Sequence, residues 1–292
     1  QAELASMPFH SEEWYRQRGI GLSRGTPVIA IDAHNRSLIA GGETIGYDAL
    51  IITTGSKPVV PPFVAGWEPR VIPLWNIDHA LAIKEQVAPG RRCAVIGGGV
   101  LGVETALRAR AAGMRAVIIE KAERLLARQF GPRAAQIIHE RLVAQGIEVI
   151  TDCGVADLTD AIDGGVRLNF EDGGHVEVAF TVLAIGARPD LAVPRLAGIT
   201  TARGVPVDRY LATNIPRVFA AGDVVQMEGV VRCSVHEAVV QGRTAGLNAL
   251  AELGQGSCVE YRPDLQQLFF KTPTLEFYAA GVAYGPEFQE VC

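Results

Sequence analysis

Residues 93–102 read CAVIGGGVLG, a short apolar run followed by glycines in the spacing G-x-G-x-x-G. The apolar run predicts a buried strand, residues 101–112 predict a helix, and residues 115–119 predict a second strand. A glycine motif alone is weak evidence for a ligand, but here it joins a strand to a helix inside a βαβ unit. That order is typical of a dinucleotide-binding site.

The glycine loop offers a role for each of its residues. Gly97 permits the tight turn, Gly99 lets a pyrophosphate approach the backbone, and Gly102 allows the helix to pack closely on the strand. Val100 and Leu101 begin the helix, whose N-terminal N–H groups and dipole attract the anionic pyrophosphate. A strand-to-helix turn that binds no ligand is the alternative interpretation.

Glu120 ends the second strand, eighteen residues after Gly102. A carboxylate at this place binds the ribose 2′-hydroxyl of NAD and repels the 2′-phosphate of NADP. We therefore expect NAD to be preferred over NADP. Lys121 and Arg124 follow closely, and their positive charges would weaken that preference.

Composition narrows the classes of function. The chain has 292 residues, a net charge of −5 and an acidic balance that does not suit nucleic-acid binding. It contains no apolar run near the ~20 residues that a membrane span needs. We expect a cytoplasmic protein that binds neither nucleic acid nor membrane. The cysteines form no C-x-x-C pair, which predicts neither a metal site nor a local redox dithiol. They are Cys93, Cys153, Cys233, Cys258 and Cys292.

Three further motifs carry a resemblance to a known family. Residues 53–58 (TTGSKP) resemble the A-T-G-x-x-P turn of the FAD/NAD(P)-binding pyridine nucleotide–disulfide oxidoreductase superfamily. Residues 184–190 (AIGARPD) resemble its second copy, and residues 218–223 (VFAAGD) resemble its strand–Gly–Asp motif. Within the superfamily the chain is most similar to the group of rubredoxin reductases, nitrite reductase flavin modules and NADH oxidases.

The resemblance implies an α/β fold with two Rossmann-like (three-layer ββα) nucleotide-binding domains, the NAD domain being inserted into the FAD domain. We expect residues 1–90 to hold the first part of the FAD domain and a linker, and residues 91–213 to form the NAD domain. Residues 214–252 would complete the FAD domain, and residues 253–292 would form a partial C-terminal α+β interface domain.

One feature of the superfamily is missing from the sequence. Its members carry an earlier G-x-G-x-x-G loop for the FAD pyrophosphate, whereas this sequence has one such loop, at residues 97–102. We therefore expect an incomplete FAD domain, in a chain whose first residue, Gln1, either lies inside a longer gene product or follows a site of processing.

The resemblance also implies where the flavin binds. Asp223, which follows Gly222, would accept hydrogen bonds from the ribityl hydroxyls, and the N–H groups of Val224 and Val225 would face the flavin carbonyl edge. A plain turn is the alternative interpretation of this segment. Residues 269–271 (FFK) either bring an aromatic ring or a cation near the flavin or belong to the core.

The remaining candidate residues lie in two turns and on the nucleotide helix. Thr54 and Gly55 would approach FAD by their backbone, and Gly186 would let the nicotinamide lie close to the chain. Tight turns are the alternative at both places. Glu104, two residues after Gly102, is the candidate catalytic residue near nicotinamide and flavin. Its alternative is an early-helix carboxylate that the helix dipole favours.

The function implied by the resemblance is that of an NADH-dependent flavoprotein oxidoreductase in electron transfer. A hydride would pass from NADH to FAD, and electrons would pass on to a rubredoxin- or ferredoxin-like carrier protein or to a small acceptor. A homodimer through the C-terminal domain is also expected. Two alternatives stay open: a truncated NAD(H)-binding module without flavin turnover, and an assembly subunit that binds flavin only with a partner chain.

Overall fold

The computed structural model of the chain describes residues 10–263, 267–271 and 275–280. The chain divides into two compact units. Unit 1 comprises Gln1–Thr54 and Asp190–Tyr261, and unit 2 comprises Gly55–Pro189 and Arg262–Cys292. The division into domains at residues 90, 213 and 252 stays a prediction.

The helices begin where local chemistry favours a helix start. Asn76 and Ser234 act as N-caps, each accepting a hydrogen bond from a first-turn N–H. Pro132 lies in the first turn of its helix, where a missing N–H costs nothing. No described helix combines the length and the apolar character that crossing a membrane requires. The described α-helices are α1 (Glu12–Gln17), α2 (Ile77–Gln86), α3 (Val100–Ala111), α4 (Pro132–Ala144), α5 (Ala192–Leu196) and α6 (Val235–Glu252).

The described strands are short, and most are two to five residues long. Those of unit 1 are β1 (Val28–Asp32), β2 (Ser37–Ala40), β3 (Glu43–Gly46), β4 (Leu50–Ile52), β15 (Val205–Pro206), β16 (Val218–Ala220), β17 (Val225–Met227) and β18 (Val230–Val231). Those of unit 2 are β5 (Ser56–Pro58), β6 (Val71–Pro73), β7 (Arg92–Ile96), β8 (Arg115–Ile119), β9 (Glu148–Ile150), β10 (Val155–Asp160), β11 (Val166–Phe170), β12 (His175–Val178), β13 (Phe180–Leu183), β14 (Ala187–Pro189), β19 (Gln267–Lys271) and β20 (Glu276–Ala280).

Unit 2 is built on a five-stranded sheet in the order β6-β13-β7-β8-β9, in which every pairing is parallel. The central strands are almost continuously apolar and buried, as expected for strands that are covered on both faces. Helix α4 turns its buried positions Ala135, Ile138 and Leu142 inward at helical spacing. The predicted α/β fold with a parallel sheet is confirmed for this unit.

Part of the predicted linker belongs to this sheet. Residues 58–90 contain six prolines and led us to expect a linker with one helix. The helix is present as α2, but Val71–Pro73 also forms β6, which pairs with β13. As an edge strand β6 tolerates its proline, because one side of the strand has no ladder partner. A three-residue strand between prolines is too short to be read from periodicity.

Two hairpins accompany the sheet of unit 2. The sequence of residues 171–174, EDGG, predicts a hairpin turn. The structure confirms it, because this turn joins β11 to β12, and β10 extends the pair into an antiparallel sheet. The hairpin of β19 and β20 stacks Phe270 on Phe277, with ring centroids 5.5 Å apart. Phe270 is buried in the core that covers Val95 and Leu142. Its predicted alternative, a core residue, is therefore the one observed.

Unit 1 has several small sheets and one long helix. Strands β1, β2 and β3 form an antiparallel meander, and β4 pairs with β16 in parallel. Helix α6 carries the buried Asn248, whose amide donates to Tyr210 O and Val259 O while its oxygen accepts from Val259 N–H. These bonds satisfy the buried amide fully and join α6 to the segment after it.

The buried face of α4 provides a stability prediction. Ile138 is 2% exposed, and Val143 on the same helix is 50% exposed. Ile138→Ala should lower the free energy of unfolding by about 2–5 kcal/mol, because it leaves a cavity. Val143→Ala, the matched control, should change it by no more than about 0.5 kcal/mol. Urea unfolding followed by circular dichroism measures both, and equal losses would contradict the packing of α4.

Candidate functional site

The glycine loop lies between the ends of two parallel strands. Gly97 has a φ of +109°, and its N–H donates to Ile119 O at 2.8 Å. A Cβ on Gly97 would lie 2.5 Å from Ala184 O, just after β13, so both conformation and space require glycine here. A Cβ on Gly102 would lie 1.8 Å from Gly97 O. The close packing of α3 on the turn therefore depends on these two glycines.

Gly99 differs from its neighbours because the space beside it is open. It is the N-cap of α3 in an extended conformation, and a Cβ there would meet nothing within 4 Å. Glycine has no side chain that caps the helix, and the first turn carries no acidic residue. Val100 and Leu101 thus begin a helix whose first N–H groups can bind an anion. The open space at Gly99 fits a bound pyrophosphate.

Glu120 holds the glycine loop through the backbone. Its Oε2 accepts from Gly98 N–H at 2.5 Å, and its Oε1 accepts from Ala122 N–H at 2.7 Å. Gly98 O in turn accepts from Leu126 N–H at 2.8 Å. A carboxylate has about four acceptor positions, so Glu120 can still accept from ribose hydroxyls. Sequence analysis missed this second role, since nothing in the sequence pairs Glu120 with Gly98.

The two cations near Glu120 are both engaged in ion pairs. Lys121 Nζ lies 2.9 Å from Glu171 Oε1, and Arg124 pairs with Glu123. Their positive charges are therefore balanced locally. The weakening of NAD preference that these residues led us to expect is opposed by their acidic partners.

Glu104 and Gly186 each have an observed structural role. Glu104 Oε1 accepts from both Nε and Nη2 of Arg108, at 3.1 and 3.0 Å, in an i,i+4 pair. Gly186 has a φ of +94°, and its carbonyl accepts from Val59 N–H at 3.0 Å. Both observations agree with the structural alternatives, and the roles near the nicotinamide stay predictions.

Unit 1 contains the second candidate site, at the end of β16. Gly222 has a φ of +80° and begins a 3₁₀ turn, Gly222–Val224, that places Asp223 half-buried. Gln241, which is 3% exposed, accepts from Gly222 N–H at 2.8 Å and so fixes the turn. The N–H of Val225 donates to Gly222 O within the turn, which agrees with the plain-turn alternative, and its role at the flavin edge stays a prediction.

The structure also describes the surroundings of the other candidate flavin contacts. Thr54 Oγ1 donates to Asp190 O at 2.9 Å, and Gly55 has a φ of +66°. Phe269 is exposed and Lys271 pairs with Glu276. The turn at Asp223 fits the ribityl part of FAD, since a half-buried carboxylate follows a parallel strand there. No second glycine loop for the FAD pyrophosphate occurs in the sequence.

Three of the described thiols have a raised pKa. Burial raises the pKa of Cys93 to about 11. Burial and the charges of Asp172, Glu171 and Asp152 raise the pKa of Cys153. Partial burial and the charge of Asp223 raise the pKa of Cys233. A raised thiol pKa lowers the thiolate fraction, so these thiols are poor nucleophiles at neutral pH. Within residues 10–263, 267–271 and 275–280, no cluster of three His, Cys, Asp or Glu could hold a metal ion.

Known proteins are similar to this chain in sequence and in fold. The family model described as pyridine nucleotide-disulphide oxidoreductase matches residues 3–242. The assimilatory nitrate reductase electron transfer subunit of Bacillus subtilis is 28% identical over 283 residues, which cover 96% of this chain and 36% of the relative. The nitric oxide reductase FlRd-NAD(+) reductase of Klebsiella pneumoniae is 29% identical over 269 residues, which cover 92% of this chain and 69% of the relative.

The solved structures add a likeness of fold. In the covalent putidaredoxin reductase–putidaredoxin complex, one chain superposes with a TM-score of 0.86 at 24% identity. The match covers 95% of this chain and 68% of that chain. This confirms the Rossmann-like fold class. The chain spans about a third of the length of the Bacillus subtilis relative.

Two glycines of the loop, Gly99 and Gly102, give opposite predictions. Gly102→Ala should destabilise the chain by about 2 kcal/mol, since the new Cβ meets backbone that must shift. Gly99→Ala should change stability by no more than about 0.5 kcal/mol, because its Cβ meets open space. It should nevertheless weaken NADH binding roughly tenfold by filling the pyrophosphate space. Thermal unfolding and NADH titration measure both effects; unchanged NADH affinity in Gly99→Ala would refute the placement of the pyrophosphate.

Proposed function

The chain belongs to the pyridine nucleotide-disulphide oxidoreductase family, and we propose that it is the coenzyme-binding part of an NADH-dependent flavoprotein oxidoreductase. Family membership agrees with the resemblance found in residues 53–58, 184–190 and 218–223. In the proposed reaction, electrons pass from NADH to FAD and on to a redox carrier protein or a small acceptor. The observation that carries the proposal is the glycine loop held by Glu120.

NADH binding is supported by three properties of that loop. The space at Gly99 is open, the first turn of α3 has no side-chain cap, and Glu120 stands at the end of β8. The first two properties suit the pyrophosphate, and the third suits the ribose hydroxyls. The glycines position the coenzyme before any chemistry takes place, because the loop is rigidly packed against strand ends.

FAD, when bound, supplies the redox chemistry by accepting a hydride and releasing electrons. The residues of this chain then bind and orient. Asp223, half-buried after β16, would accept from the ribityl hydroxyls, and Val224 N–H would donate to the flavin edge. Thr54 and Gly55 would approach FAD by backbone. Glu104 would act near the nicotinamide once its pair with Arg108 opens.

A carrier protein is the favoured acceptor. One relative is called an electron transfer subunit, one a FlRd-NAD(+) reductase, and a similar structure was solved with putidaredoxin bound covalently. Each of these names describes electron transfer that involves another protein or NAD. A small-molecule acceptor, a homodimer and a cytoplasmic location stay predictions.

One observation favours a second function. The sequence has a single G-x-G-x-x-G loop, and it lies in unit 2. Unit 1 has two short parallel strand pairs among the described residues, β4 with β16 and β15 with β17. A chain that binds NAD(H) without flavin turnover, or that binds flavin only with a partner chain, would have these features.

Absorption spectra of the chain separate the two functions. We expect the protein, purified with added FAD, to show flavin bands that bleach when NADH is added anaerobically. A colourless protein that still binds NADH would support the second function instead. A protein that binds neither compound would refute both.

The proposed ribose contact leads to a substitution test. Glu120→Ala should weaken NADH binding about tenfold, or about 1.4 kcal/mol, because it removes a ribose acceptor and a support of the loop. Glu123→Ala is the matched control, since Glu123 is a neighbouring exposed carboxylate that pairs with Arg124. Isothermal titration calorimetry measures both variants. An unchanged affinity in Glu120→Ala would refute the assignment.

A further inference from the structure

We propose that Glu171 sets the preference for NADH over NADPH by holding Lys121 in an ion pair. Lys121 follows the ribose-binding Glu120 directly and is the cation best placed to attract a 2′-phosphate. While Glu171 holds it, its charge is balanced and its side chain is directed to the β11–β12 turn. The inference rests on the proposed NADH site and adds a specificity-determining residue to it.

The backbone around Lys121 is fixed by a neighbouring segment. Glu120 N–H donates to Ile150 O at 2.8 Å, and Asp152 N–H donates to Ala122 O at 2.9 Å. Cys153 N–H donates to Glu120 O at 3.1 Å. These bonds tie the residues on both sides of Lys121 to the segment after β9. The position from which the lysine side chain leaves the backbone is therefore well defined.

The position of the Glu171 side chain depends on Gly154. Its N–H donates to Gly154 O at 2.9 Å. A Cβ on Gly154 would lie 2.4 Å from the Glu171 carboxyl carbon and 2.5 and 2.6 Å from its two oxygens. Gly154 does not have a positive φ, so its backbone conformation suits any residue. A side chain at position 154 would therefore displace the Glu171 carboxylate, which is the end of a flexible, exposed side chain.

The surroundings of Lys121 are acidic. Asp152, Glu171 and Asp172 all raise the pKa of the Cys153 thiol by their charge, which places three carboxylates around the segment that borders Lys121. Asp152 also adopts the left-handed backbone conformation, with a φ of +54°, in the segment that follows β9. A 2′-phosphate, with a charge of about −1.5 to −2, would be repelled both by Glu120 and by these three carboxylates. A free Lys121 would offset part of that repulsion.

The exposure of the Lys121 and Glu171 side chains limits the expected change in NADPH affinity. The side chains of Lys121 and Glu171 are 75% and 55% exposed, so their pair is screened by water and salt. Freeing Lys121 should therefore raise NADPH affinity about five-fold rather than by orders of magnitude. NADH has no 2′-phosphate, and its affinity should change less than about twofold.

The test compares NADH and NADPH binding to the full chain by calorimetry at low ionic strength. Glu171→Gln removes the partner of Lys121, and Gly154→Ala displaces the carboxylate while keeping its charge. Both should raise NADPH affinity about five-fold, and the gain should shrink at high salt. Lys121→Ala alone should leave NADPH affinity nearly unchanged, and Lys121→Ala added to Glu171→Gln should remove the gain. Glu177→Gln is the matched control, because Glu177 pairs with Arg167 at 3.0 Å on the same small sheet.

Three results would overturn the proposal. They are an unchanged NADPH affinity in Glu171→Gln, a gain that survives Lys121→Ala, and an equal gain in Glu177→Gln. Thermal unfolding checks that Gly154→Ala still folds, and Glu171→Gln tests the proposal without any backbone change. If the unmodified chain bound neither coenzyme, the proposed function itself would fail, which is a different result.

Discussion

The peptide of Gly98 is held on both sides, by the Glu120 carboxylate at its N–H and by Leu126 N–H at its oxygen. The glycine loop, the end of β8 and the start of α3 depend on this arrangement. The backbone at Gly97 passes close to the Ala184 carbonyl, and the Gly97 carbonyl lies close to Gly102, so neither position has space for a Cβ. A loop fixed in this way would bind a dinucleotide without a further loss of its own conformational entropy.

In unit 2, the side chains that support the glycine loop are buried, whereas the charged side chains near the loop are exposed. The parallel sheet and α4 bury nearly all of their inward side chains, so the strand ends that position the loop have few ways to move. The charges that we propose distinguish NADH from NADPH lie on exposed segments after β8, β9 and β11. Lys121 and Glu171 interact in water, where each contact is weak. Such charges can change coenzyme preference without disturbing the core, because they contribute little to folding.

Unit 1 adds buried polar groups to its apolar cores. Gln241 fixes the Gly222 turn, and Asn248 joins α6 to residues 210 and 259. Buried amides that are fully hydrogen-bonded specify one arrangement, since any shift leaves a donor or acceptor unsatisfied. The turn that carries Asp223 is therefore well defined.

The sequence by itself determined the elements whose signals are local. Strand β7, the glycine loop, α3, β8 and the Glu171–Gly174 hairpin turn were predicted at or near their observed bounds, because periodicity and turn chemistry lie within a dozen residues. Family membership followed from motifs of six or seven residues. Only the tertiary structure decided that Val71–Pro73 joins the parallel sheet, that Glu120 supports Gly98, and that Gly154 makes room for Glu171. Each of these depends on contacts between residues 17 to more than 100 positions apart. Such contacts leave no mark in any short stretch of sequence, since they form only when the strands are brought side by side.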